Sequence, residues 1–173
     1  MTANAEEVRV EPGLGPLASL YEEHSGSAFR FAYLLTGDAD LAEDLVQDAF
    51  VRLIGRFGNI RRRESLDSYL KHTILNLSYG SFRRRRVERA YLARERALPS
   101  RPARDFPDVE RTDELWSQLQ RVAPRQRAAL ILRYYEDLSE HQTADFLGCS
   151  VRTVKSLVTR GIAAMRAQQR SDQ

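Results

Sequence analysis

The sequence predicts an all-α protein made of two small helical domains joined by a flexible linker. Three observations carry that prediction. Apolar residues recur at three- and four-residue spacing from about Leu17 to Arg94, and again from Thr112 to about Arg166. Nowhere does the chain show the every-second-residue alternation of a half-buried strand. Between the two periodic stretches, "ALPSRPARDFPDVER" holds Pro99, Pro102 and Pro107 and has no helical period. Proline cannot continue a helix and pushes the residue before it towards extended geometry. The expected layout is an N-terminal extension over 1–16, a first domain over 17–94, a linker over 95–111, a second domain over 112–167 and a tail over 168–173.

The elements follow in order. "PLASLYEEHSGSAFRFAYLLTG" sets Leu17, Leu20, Tyr21, Ala28, Phe31, Leu34 and Leu35 at helical spacing, and Gly37 is placed to stop it. Asp38 then has the short acceptor side chain that an N-cap requires. Beyond it Leu41, Leu45, Val46, Ala49, Leu53 and Ile54 make one apolar stripe. The segment "GNIRRRES" breaks the pattern. A third helix is expected from about Leu66 to Arg86, with Tyr69, Leu70, Ile74, Leu77 and Phe82 on its apolar side. In the second domain Thr112 caps a helix through "TDELWSQLQRV", and Pro124 opens "PRQRAALILRYY" at a first-turn position that tolerates proline. Two more helices follow, capped by Ser139 and Ser150 and separated by Gly148.

Composition narrows the function classes. A hydrophobic share of 42% is enough for packed cores, and no apolar run approaches the ~20 residues that would cross a bilayer. No basic stretch followed by an apolar one marks a secretory signal near the N-terminus, and a single Cys149 suits a reducing cytoplasm. The net charge of +3 conceals strong segregation. Residues 1–50 carry two Arg against ten acids, whereas residues 51–104 carry fifteen basic residues against four acids. Residues 150–173 are basic again, with five basic residues and one acid. Two separate basic blocks point to two contacts with a polyanion.

"LSEHQTADFLGCSVRTVKSLVTRGIAAMR" has the parts of a helix-turn-helix: a capped helix to Leu147, a glycine able to turn left-handed, and a second capped helix. Along the second helix Val151, Val154, Leu157 or Val158, Ile162 and Met165 share one face. Arg152, Thr153, Lys155, Ser156, Thr159 and Arg160 are left facing outward, a make-up that suits the major groove. An ordinary solvated helix in a bundle is the plainer reading; the absence of acids from these positions favours DNA. In the first domain, Asp38, Asp40, Glu43, Asp44 and Asp48 form an acidic side next to the apolar stripe. The third helix carries Tyr69, Lys71, His72 and Asn76 before Arg83, Arg84, Arg85 and Arg86. Aromatic and amide groups beside a basic cluster suit unstacked single-stranded bases.

Taken together, "LTGDADLAEDLVQDAFVRL", the "YL…NL…RRRR" helix and "APRQRAALILRYYEDLSEHQTADFLGCSVRTVKS" resemble an extracytoplasmic-function sigma factor of the bacterial sigma-70 superfamily. The resemblance covers about residues 17–167 and both family domains in order, region 2 and then region 4. It implies a cytoplasmic, non-enzymatic subunit that binds core RNA polymerase and recognises the −10 and −35 elements of a promoter. By resemblance, Glu43, Asp44, Gln47, Asp48 and Phe50 contact the clamp helices of the largest polymerase subunit, and the second domain meets the flap region. Tyr69, Lys71, His72, Asn76 and Arg83 to Arg86 serve −10 recognition and melting on single-stranded DNA. Arg152, Thr153, Lys155, Ser156, Thr159 and Arg160 read duplex −35 DNA. Many relatives are held by an anti-sigma protein. Gly161 stands where the family usually has Ala and is expected to weaken its helix by up to about 1 kcal/mol.

The competing reading is a stand-alone helix-turn-helix repressor or activator whose first domain dimerises or senses a ligand. Other readings are weaker. The acids lack a histidine at ligand spacing, so no metal or cofactor is expected. His24, His72 and His141 are scattered, and no strand–turn–helix elbow offers a nucleophile. Cys149 and Trp116 read as packed residues. The free chain is expected to bind DNA poorly, because the two readers hang on a tether until the polymerase fixes their spacing.

Overall fold

Gly37 and Asp38 set the corner on which the first domain is built. The computed structural model describes the backbone of residues 14–55, 64–91 and 115–171 and the side chains of 18–55, 66–83 and 115–167. Among the described residues every regular element is a helix. The first domain holds α1 (Leu14–Thr36), α2 (Ala39–Ile54) and α3 (Glu64–Tyr91). The second holds α4 (115–119), α5 (Pro124–Leu130), α6 (Glu140–Leu147) and α7 (Val151–Ser171). The extension up to residue 13, the linker 95–111 and the end of the tail lie outside the described residues.

α1 stops because Gly37 turns left-handed, with φ of 67°, a conformation that costs glycine little. Asp38 caps α2, its carboxylate accepting from the Leu41 N–H at 3.0 Å. The three helices pack on one another around Phe31, Leu34 and Leu35 of α1, Leu53 of α2, and Leu70, Ile74 and Leu75 of α3, all essentially without solvent contact. Full burial of each such side chain contributes roughly 1.5–3 kcal/mol. Asp67 ties α3 to α1, accepting from the Ser27 hydroxyl at 3.0 Å. Two positions depart from the expected apolar sets: Tyr21 of α1 and Ile54 at the end of α2 are exposed rather than buried.

In the second domain α5 does not run on as a regular helix. Residues Ile131–Tyr135 form a wider π-helical turn, and the Glu136 N–H reaches back five residues to the Ile131 carbonyl at 2.9 Å. That widening takes Ile131 and Leu132 into the core and leaves Tyr134 and Tyr135 outside. α6 carries a complete capping box between Ser139 and Gln142 and ends at left-handed Gly148. The Ser150 hydroxyl then accepts from the Thr153 N–H at the start of α7. Val154 and Leu157 bury the inner face of α7. Gly161 does more than weaken this helix: a Cβ there would sit 2.8 Å from the Leu130 side chain, so glycine allows α7 to approach α5 closely.

The two domains, read from sequence as held by a tether, also touch. Trp116 belongs to neither core alone. Its ring lies against Gly37, where a Cβ would come within 1.9 Å of it, and faces Tyr33 at 6.4 Å between centroids. The buried Arg127 guanidinium stacks over the same indole at 4.4 Å. It donates to the Gln120 and Val122 carbonyls in its own domain and to the Leu35 carbonyl of α1 at 2.7 Å. Burial lowers its pKa to about 10, so it stays charged at neutral pH. Carbonyl dipoles and the indole face, rather than a carboxylate, hold that charge.

Candidate nucleic-acid interface

Helix α2 buries Ala42, Leu45, Val46, Ala49, Phe50 and Leu53. That leaves Asp40, Asp44, Gln47 and Asp48 exposed on the other side, with Glu43 half-buried at its edge. Asp44 and Asp48 are four residues apart and so share a face. Phe50 differs from the rest of its expected group. It is only 7% exposed, with its ring 4.9 Å from that of Tyr21, and therefore supports the acidic face from behind. Val51, by contrast, is 68% exposed beside that face. The sequence reading leaves Val51 outside the apolar stripe and gives it no role, because periodicity alone does not mark an exposed valine as a contact. A cavity of about 190 Å³ lined by Tyr21, Ser25, Phe29, Glu43, Val46 and Gln47 adjoins the face.

On α3, His72, Asn76 and Arg83 are exposed and lie at helical spacing on one side, with Tyr69 half-buried. The Asn76 amide nitrogen is 3.1 Å from Nδ1 of His72. The backbone of Arg84, Arg85 and Arg86 is helical, and their side chains lie outside the described residues. Lys71 is not open to solvent. Its ammonium is 2.6 Å from Asp67 and 2.5 Å from Glu136 of the second domain, and the side chain is 12% exposed. Burial alone would lower its pKa, but the hydrogen bonds and charges of the two carboxylates outweigh that and raise it. The His72 ring meets Phe146 of α6 edge-on at 5.3 Å. Tyr79 is pushed up to about 12, chiefly by burial; Arg125 opposes the shift and Cys149 adds to it, both from the second domain.

On α7, Arg152, Lys155, Ser156, Thr159 and Arg160 are exposed, and Thr153 is half-buried. Lys155 leans on Glu140 at 3.4 Å, a surface pair of little energetic weight. Arg160 folds back on Ser156, donating to its carbonyl and its hydroxyl. No acid occurs anywhere from Ser150 to Ser171. A different surface lies between α4, the π turn and the C-terminal half of α7: an apolar groove of about 440 Å³ lined by Leu119, Leu130, Tyr134, Ile162 and Met165, among others. Sequence periodicity does not reveal it, since a regular helix would place the two tyrosines elsewhere. Among the described residues no group of three or more His, Cys, Asp and Glu is arranged to hold a metal. Nor is any described helix long and apolar enough to cross a membrane.

Comparison with known proteins assigns these surfaces to a family. Residues 20–88 match the family described as Sigma-70 region 2, and residues 112–165 match Sigma-70, region 4. The RNA polymerase sigma-E factor of Streptomyces avermitilis is 32% identical over 151 residues, spanning 82% of this chain and 78% of that protein. The ECF RNA polymerase sigma factor EcfG of Rhodopseudomonas palustris is 32% identical over 139 residues, 79% of this chain and 76% of the relative. Among solved structures, the sigma factor RpoE of Bartonella quintana, in complex with the anti-sigma factor NepR, shares the fold. Its TM-score is 0.69 at 23% identity, covering 91% of this chain and 99% of that one. A self-sufficient repressor has no use for a region 2 domain, so the competing reading falls. With an acidic α2, an aromatic- and amide-bearing α3 and an acid-free recognition helix on these two domains, the chain belongs to the extracytoplasmic-function group of the sigma-70 family and is an RNA polymerase sigma factor.

Proposed function

We propose that this sigma factor divides its work among four surfaces. The exposed face of α2, Asp44, Gln47 and Asp48 with Glu43 beside them and Phe50 behind, docks on the clamp helices of core polymerase. Its charge fits a basic partner, and complementary charge sets register and speeds encounter. Val51 adds an apolar contact at the end of that face. The His72–Asn76–Arg83 side of α3, with Tyr69, Lys71 and the run Arg84 to Arg86, takes the unpaired −10 strand. Arg152, Thr153, Lys155, Ser156, Thr159 and Arg160 on α7 read the −35 duplex. The apolar groove beside Tyr134 suits an amphipathic helix from the polymerase flap.

One observation supports this division above the others. The two exposed helical faces are oppositely charged: acids dominate α2, while α7 has none. A polyanion is repelled by the first and attracted by the second. The domains extend over 17–94 and 112–167, and the protein works in the cytoplasm by contact alone, without catalysing a reaction. An anti-sigma factor is a fitting further partner, since the relative in Bartonella quintana is held by one.

The experiment that tests the α7 assignment is a salt titration of promoter binding by the assembled holoenzyme. Combined Arg152→Ala, Lys155→Ala and Arg160→Ala is expected to lower −35-dependent binding by roughly tenfold or more. It should also flatten the slope of log affinity against log salt by about 0.9 for each phosphate that is no longer neutralised. An unchanged slope would move the −35 contact away from this helix.

A further inference from the structure

The clamp-docking and −35 faces are open in the free chain, whereas the −10 face of α3 is covered along its Lys71 edge, with His72, Asn76 and Arg83 still exposed. Asp44, Gln47, Asp48, Arg152, Lys155, Thr159 and Arg160 are exposed. On α3, in contrast, Glu136 sits on Lys71 and Phe146 sits on His72. The hydroxyl of half-buried Tyr79 is shut away from solvent and lacks a hydrogen-bond partner among the described residues. The residues covering Lys71 and His72 both come from the second domain. The same contact is anchored at its far end by Arg127 on the Leu35 carbonyl and by Trp116 on Gly37. We propose that the second domain is a lid on the Lys71 edge of the −10 face of the first, latched by Glu136 on Lys71, and that −10 DNA engages the full face only after this lid lifts. The proposal rests on the assignment of α3 to −10 DNA made above.

Three physical points favour a latch over a permanent interface. The Lys71–Glu136 pair is nearly dry, with the two side chains 12% and 13% exposed. A pair in that setting repays little of its desolvation, and Lys71 keeps Asp67 at 2.6 Å when Glu136 leaves. The Tyr79 hydroxyl is unsatisfied in the closed form and regains a partner when water returns. Finally, 23 residues separate Tyr91 from Leu115, enough chain to span roughly 75 Å when extended. Lid opening therefore does not require either domain to unfold. The order of events follows: polymerase captures α2 in the closed form, the flap draws the second domain away, and the covered edge of the −10 face is freed where it is needed. A ligand that needs the open state binds more weakly in proportion to the open fraction.

The test uses the full chain, whose single tryptophan, Trp116, lies in the contact. Glu136→Ala removes the latch, since Lys71 is the only partner of that carboxylate among the described residues. Asp137→Asn is the control. It removes the same charge one residue away, at a left-handed position that Asn tolerates. Relative to wild type and control, Glu136→Ala is expected to make Trp116 more accessible to acrylamide quenching. It should also tighten binding of a labelled mixed-sequence single-stranded DNA by about tenfold, equivalent to about 1.4 kcal/mol. Glu136→Lys sets two ammonium groups together and is read by quenching alone, because its added charge favours DNA by itself.

Trp116 remaining as protected in Glu136→Lys as in wild type would overturn the latch. Opening without tighter single-strand binding would overturn the lid. In that event Asn76→Ala locates the fault: weaker binding keeps α3 as the DNA face and rejects the lid alone, whereas unchanged binding rejects the α3 assignment too.

Discussion

Asp44→Lys combined with Asp48→Lys is expected to weaken capture of core RNA polymerase by more than about a hundredfold, measured by titrating labelled chain with core enzyme. Both side chains are exposed on one face of α2, and neither is part of the domain core. Reversing them brings like charges together across the docked surface, which costs several kcal/mol, and about 2.7 kcal/mol is already a factor of a hundred. The free chain should fold as before, because exposed substitutions away from caps and cores usually change stability by no more than about 0.5 kcal/mol. The neutral pair Asp44→Asn and Asp48→Asn should give a smaller, salt-dependent loss, since it removes attraction without adding repulsion. Phe50→Ala separates the two roles of this helix. It should lower thermal stability, because the ring is packed against Tyr21, before it affects docking directly.

Arg127→Leu is expected to destabilise the second domain by about 3 kcal/mol, seen as a drop in its melting temperature of roughly 10 °C or more. Leucine fills part of the space but leaves the Gln120, Val122 and Leu35 carbonyls without their donor. Buried carbonyls stripped of a charged donor lose more than an ordinary hydrogen bond. Leucine also takes away the cation from the Trp116 face. Arg127→Lys should recover only a minor part. One ammonium on a thin stem cannot reproduce a planar fork that serves three acceptors and stacks on an indole. Full recovery by lysine would show that the charge alone matters and that the carbonyl geometry does not.

Residues whose role is local were legible from the chain. Asp38, Ser139, Gly148 and Ser150 announce their caps and turns through backbone chemistry that needs no tertiary information, and all four act as expected. Apart from half-buried Thr153, the outward set on α7 was equally readable, because an amphipathic helix sorts its residues by period alone. Residues whose role depends on the other domain were not. Arg127 sits in a stretch that reads as an ordinary helix start, and nothing in its neighbours reveals the Leu35 carbonyl 92 positions away. Lys71 looks like a free cation beside aromatic residues; only the fold brings Glu136 onto it. The π turn hid Tyr134 and Tyr135 in the same way, by breaking the period on which the reading depends.

The central claim is that this chain gives core polymerase a promoter preference by docking through α2 and reading DNA through α3 and α7. Mapping transcript 5′ ends from a genomic promoter library, with core enzyme alone and with added chain, tests it most directly. The account predicts a new set of start sites that appears with the wild-type chain and vanishes with the Asp44→Lys, Asp48→Lys form. Identical start sites with and without the chain would contradict it.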